Sequence, residues 1–173
     1  MVVKRGWNDQ AILPMAEYFR GTPHVLRFIE YMDVGTANRW RMDEVVSGQE
    51  ILDRIGSRWP LVPVTPDRPG EVARRWRYAD GQGEIGIIAS VTQPFCSSCT
   101  RARLSPEGQL FTCLFASRGF DLRALLRAGA DDEALKEAIL QVWRRRDDRY
   151  SELRASERAG QDQKKVEMFR IGG

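Results

Sequence analysis

Three cysteines carry the chemistry most legible in this chain: Cys96 and Cys99, separated by two residues, and Cys113 beyond them. A Cys-x-x-Cys pair can bring two thiolates to one metal centre from a single tight turn. Between that pair and the third cysteine, Ser105-Pro106-Glu107-Gly108 reads as a three-residue hairpin loop with Gly108 in the left-handed conformation. That register sets Arg103 opposite Phe111 and, carried outward, Arg101 opposite Cys113. Strict alternation then gathers Cys99, Arg101, Arg103 and Cys113 on one face of the hairpin. On the residues alone three readings of the cysteines stay open. They are inert thiols, or zinc ligands, or the ligands of an iron–sulfur cluster. Structural zinc needs a fourth ligand, and the only histidine, His24, lies far upstream and reads as an ordinary strand or loop residue. Three thiolates on an iron–sulfur cluster leave one iron open to a substrate or water. Arg101 and Arg103 offer planar forks suited to a phosphate or a purine edge, against the plain alternative of two surface arginines on a strand.

These residues sit in a chain of 173 residues that is 42% hydrophobic and 29% charged. The size fits one domain, or a domain with a smaller module, and a chain near it buries roughly 70% of its unfolded surface. No apolar run approaches the ~20 residues that cross a bilayer, so no membrane partner is expected. Lys and Arg number 27 against 24 Asp and Glu, a net charge of +3, too slight to argue for nucleic acid. An odd cysteine count cannot pair completely within one chain, which excludes a disulfide scaffold. Exposed thiolates and a labile cluster point to the reducing cytoplasm as the compartment.

The elements that must position the cysteines fall into two parts. Met1 to Lys4 reads as a buried strand, and Asn8 or Asp9 caps a helix carrying Ile12, Leu13, Met15, Ala16 and Phe19, in which Pro14 is expected to cost a hydrogen bond or make a kink and which Gly21 ends. A mostly apolar strand follows from His24 to Met32, with Phe28, Glu30 and Met32 on one face, the last two near the strand end where α/β barrels place their sites. Ser47 and Glu50 form a capping box for a second helix. This strand–helix–strand order predicts a parallel α/β unit over residues 1–68, with open edges suggesting part of a larger barrel or sheet. Residues 69–173 predict a small antiparallel α+β domain: two strands around the turn ADGQG, the cysteine hairpin, a helix from Asp121 to Ala128, and one from Asp131 to Leu153 whose run RRRDDR is its solvated face.

Taken together, VVKRGWND, RFIEYMDVG, PFCSSCTRARLSPEGQLFTCLF and the terminal IGG resemble the GTP 3′,8-cyclases of molybdenum-cofactor biosynthesis, a radical-SAM lyase family. The resemblance runs in order over essentially the whole chain and corresponds to the C-terminal half of the family's proteins. It implies the C-terminal part of an incomplete βα barrel, followed by a domain that covers its side. It implies that Cys96, Cys99 and Cys113 hold a 4Fe–4S cluster whose open iron takes the guanine of GTP, and that Arg101, Ala102 and Arg103 contact GTP. Met32 matches a residue beside S-adenosylmethionine, and Gly172-Gly173 a tail reaching into the active site. The family's radical-generating cluster sits on a CxxxCxxC motif, which does not occur here. The expectation is therefore a GTP-binding half that does not turn over by itself, and that uses S-adenosylmethionine only with a separate N-terminal half or a homodimer mate. A pathway partner would convert the cyclised nucleotide to the pterin. Set against this are two other expectations: a non-catalytic cluster- or metal-holding module that grips a nucleotide or nucleic acid, and a truncated remnant.

Overall fold

The computed structural model describes residues 1–35, 37–154 and 165–171, so Gly172 and Gly173 lie outside the described residues. The chain divides into two compact units, one of Met1–Met32 with Trp40–Cys99, the other of Asp33–Arg39 with the described residues from Thr100 onward.

The first unit is built on a five-stranded mixed sheet: β1 (Val2–Val3), β2 (Leu26–Glu30), β3 (Leu61–Val64), β4 (Arg74–Tyr78) and β5 (Glu84–Ile88), in the order β1-β2-β5-β4-β3. The β1, β2 and β5 strands run parallel, while β4 and β3 continue the sheet antiparallel. Phe28, Ile85 and Ile87 alternate onto one face and meet Ile12 and Ala16 of α1 (Ile12–Phe19) and Ile51 and Ile55 of α2 (Gly48–Gly56). The strand pair around ADGQG, expected to open the second domain, thus belongs to the first sheet, and the expected boundary at 68/69 falls inside this unit. The reason is that pairing Leu26↔Ile85 and Phe28↔Ile87 sets the apolar face of β5 beside that of β2 in the core shared with α1 and α2, a long-range choice that hairpin patterning does not reveal.

Two helix expectations also change. Pro14 is the third residue of α1, within the first turn, where backbone N–H groups have no intrahelical acceptor, so its missing N–H costs the helix no hydrogen bond. Ser47 Oγ accepts from Glu50 N at 3.1 Å, but the Glu50 carboxylate turns to Arg5 and Arg54 instead of closing the box.

The second unit carries a three-stranded antiparallel sheet of β6 (Arg103–Leu104), β7 (Gln109–Phe111) and β8 (Phe120–Asp121). Asp121 caps α3 (Leu122–Arg127) by accepting from Ala124 N, and Asp131 caps α4 (Asp132–Arg144) through Ala134 N. The long final helix that the sequence predicts is two pieces: α4 stops at Arg144, and a short α5 (Tyr150–Leu153) follows. Residues 145–149 are therefore a break, with Arg146 paired to Asp148 and set over the Trp143 ring. Mixed α/β architecture is present as expected in outline.

Candidate functional site

In the first unit the chemistry gathers at the C-terminal end of β2. Glu30 is fully buried, and its carboxylate accepts hydrogen bonds from Gly48 N (2.7 Å), Val91 N (2.8 Å), Thr92 N (2.9 Å) and the Thr92 hydroxyl. Four donors supply what a buried carboxylate loses on leaving water. Glu30 so ties the strand end to the start of α2 and to the residues from which the cysteine loop departs. The approach is close: a side chain at Gly48 would put its Cβ 2.7 Å from Ile87 Cγ2. Met32 lies just past β2, and the Ser90 hydroxyl donates to its sulfur at 2.7 Å. Cys96 begins a single 3-10 turn and Cys99 follows its end, with Cys99 N donating to Cys96 O at 3.2 Å. Neither is in a disulfide, and both are partly exposed. His24 is exposed and meets the Phe19 ring edge-on. A small cavity of about 80 Å³ under α2, lined in part by Leu52, Trp76, Ile87 and Gln93, holds none of the expected site residues.

In the second unit the hairpin has the register that the turn chemistry predicts. Arg103 pairs with Phe111 and Leu104 with Leu110, Gly108 has φ +77°, and Gly108 N donates to Ser105 O at 2.9 Å. The ladder ends there, so the expected continuation to Arg101 opposite Cys113 does not form. Cys113 instead lies in a turn, closed by Ala116 N donating to Cys113 O at 3.3 Å. Arg101 and Arg103 are half-buried and Ala102 is exposed. Phe115 N donates to Cys113 Sγ at 3.4 Å, the contact a thiolate accepts readily.

Sequence reasoning missed Asp33. Its carboxylate accepts from Tyr150 Oη (2.5 Å), Arg154 Nε (2.9 Å) and Lys165 Nζ (2.9 Å), and Lys165 also reaches its carbonyl. Burial pushes the Asp33 carboxyl up, but the Tyr150 and Lys165 hydrogen bonds and the two cations outweigh it and hold the group below the usual range. Burial, then the Asp33 carboxylate, pushes the Tyr150 phenol well above its ordinary value. No local pattern could have exposed this cluster, since the three side chains lie 117 to 132 residues from Asp33.

Among the described residues no three His, Cys, Asp or Glu side chains are arranged as ligands of one metal ion. Cysteine thiolates are the usual ligands of iron–sulfur clusters, each on its own iron, so partly exposed cysteines outside any disulfide are of the chemical type such a cluster takes. No described helix is long and apolar enough to cross a membrane.

The elements define an α/β protein with a cysteine pair at the end of its sheet unit and a third cysteine beside an arginine-bearing hairpin. The chain belongs to the family described as Molybdenum Cofactor Synthesis C, which matches residues 24–152. Three similar proteins are each named GTP 3′,8-cyclase. That of Acidothermus cellulolyticus is 50% identical over 195 residues, covering 99% of this chain and 54% of the relative. That of Xanthomonas campestris pv. campestris (strain B100) is 52% identical, covering 99% and 50%, and that of Staphylococcus aureus (strain MRSA252) is 45% identical, covering 100% and 52%. The chain spans about half the length of the curated relatives it matches.

Proposed function

We propose that this chain forms the GTP-binding half of a GTP 3′,8-cyclase, with Cys96, Cys99 and Cys113 as the ligands of a 4Fe–4S cluster. The observation that carries the reading is the similarity, 45–52% over 99–100% of the chain in the relatives cited, to proteins of that name. When bound, such a cluster supplies an open iron for the guanine. The chain's own residues do the rest of the holding. Arg101 and Arg103, with Ala102 between them, face GTP from the hairpin, where guanidinium forks pair with phosphate or the purine edge. Met32, its sulfur held by Ser90, takes the place beside S-adenosylmethionine when an N-terminal half supplies that cofactor's other contacts. Gly172-Gly173 is the active-site tail of the family. The cyclase activity itself requires the segment of the relatives that this chain does not span.

Anaerobic reconstitution with iron and sulfide tests the proposal. The expected result is about four irons per chain, absorption near ~400 nm, and GTP binding that requires the cluster. One equivalent of zinc with no visible absorption, or GTP binding indifferent to cluster removal, overturns it. Variants Cys96→Ser, Cys99→Ser and Cys113→Ser should each lose the cluster.

A further inference from the structure

Cys113 lies outside the strand ladder, so the regular hydrogen bonding of the hairpin does not fix its backbone. What holds its turn is a set of residues from distant parts of the second unit. Phe115, two residues on, is nearly buried and stacks on the Tyr150 ring with centroids 4.6 Å apart and planes at 23°. Its amide donates to Cys113 Sγ. Ala116 accepts at its carbonyl from Val166 N at 3.1 Å, next to Lys165. Tyr150 and Lys165 both end on Asp33, as does Arg154. The two cations also lie over the stacked rings, Lys165 Nζ 4.5 Å from the Tyr150 centroid and Arg154 5.2 Å from that of Phe115.

We propose that Asp33 is a positioning residue for the Cys113 thiolate, acting through Tyr150 and Lys165 on the turn Cys113–Ala116. Two segments, Tyr150–Arg154 and the one carrying Lys165, end on one carboxylate, and the Cys113 turn is held to both through Phe115 and Ala116. The Phe115 ring cannot leave its place without displacing a tyrosine whose hydroxyl is bound. The amide that points at Cys113 Sγ is thereby fixed, and with it the direction in which the sulfur presents itself. A sulfur whose direction is fixed in this way is placed in advance to act as a ligand. The consequence for the cluster rests on the reading of Cys113 as a ligand given above, whereas the clamp on the thiol does not.

The test uses the anaerobic, reduced apoprotein, pulse-alkylated with iodoacetamide and read thiol by thiol by mass spectrometry. Asp33→Asn and Tyr150→Phe should speed Cys113 alkylation about tenfold, the scale of one lost charge-assisted hydrogen bond, and leave Cys96 and Cys99 unchanged. An unchanged Cys113 rate, or equal acceleration of all three thiols, overturns the proposal. Tyr150→Phe keeps the stacked ring and decides the matter if Asp33→Asn does not fold. In the reconstituted chain the same variants should release iron to a chelator faster than wild type, and wild-type release rates there also overturn the proposal. A wild-type chain that takes up no iron strikes the reading of the cysteines as ligands, while the alkylation rates still decide the clamp.

Discussion

Two carboxylates three residues apart, Glu30 and Asp33, do different work at the exit of β2. Glu30 gathers backbone donors from α2 and from the residues leading to Cys96, whereas Asp33 gathers a phenol and two cations. Glu30→Gln keeps the shape but turns an amide donor toward backbone N–H groups. It should destabilise the chain by about 2–3 kcal/mol in urea unfolding, the cost of buried donors left unmet. Asp33 predicts an acid dependence. Its lowered pKa means its stabilisation is fully present above the ordinary value of 3.8 and is lost as the pH falls through the lowered one. Acid unfolding of the second unit, followed by NMR, should therefore be less steep in Asp33→Asn. Tyr150 has the opposite sign: its raised pKa keeps the contribution intact below the ordinary 10.0 and removes it as the pH rises through the raised value. On the proposed reading of the hairpin, Arg103→Ala should weaken GTP binding about 10- to 100-fold, the worth of a charged hydrogen bond, with little change in unfolding midpoint. Equal affinity by calorimetry would remove the arginine from the site.

Among the elements, the hairpin β6–β7 shows how far local chemistry reaches. Gly108 is at φ +77°, and a Cβ there would lie 2.7 Å from that of Arg123, while its carbonyl accepts from the first amides of α3. Gly108→Ala should cost about 1–2 kcal/mol for the left-handed backbone alone, checked by denaturant unfolding, and more from the clash with Arg123. The register of this hairpin was legible because Ser-Pro-Glu-Gly admits few turn geometries and each has its own pairing. Its extent was not, because where a ladder stops depends on what else competes for the backbone. Here the turn at Cys113 takes Ala116 N, and the far segment at Val166 takes Ala116 O. The break after α4 has the same origin. The 131–153 stretch has a helical pattern throughout, yet Tyr150 and Arg154 are drawn to Asp33, a contact that propensity does not encode. The α3 and α4 helices contain no buried residue, in contrast to α1 and α2 with Ile12, Ala16, Ile51 and Ile55. Hydrogen exchange should accordingly be fast in α3 and α4 and slowest in β2 and β5, whose opening exposes the core.

For the whole molecule, the division into two units departs from the boundary that composition predicts. Strands that look like an isolated hairpin, 74–88, complete the first sheet, and the short segment Asp33–Arg39 leaves the first half to join the second unit. Alternation of apolar residues, the Ser47 cap, the glycine turns and the cysteine spacing were decided in the sequence by itself, because each depends on neighbours within a few residues. The family similarity was likewise carried by linear motifs. Only the tertiary structure decided that β5 lies beside β2, that Glu30 is a hub of backbone bonds, and that Asp33 meets Tyr150, Arg154 and Lys165. Those outcomes depend on which distant surfaces exclude water together and which buried charge finds its partners there, and no spacing along the chain records that choice.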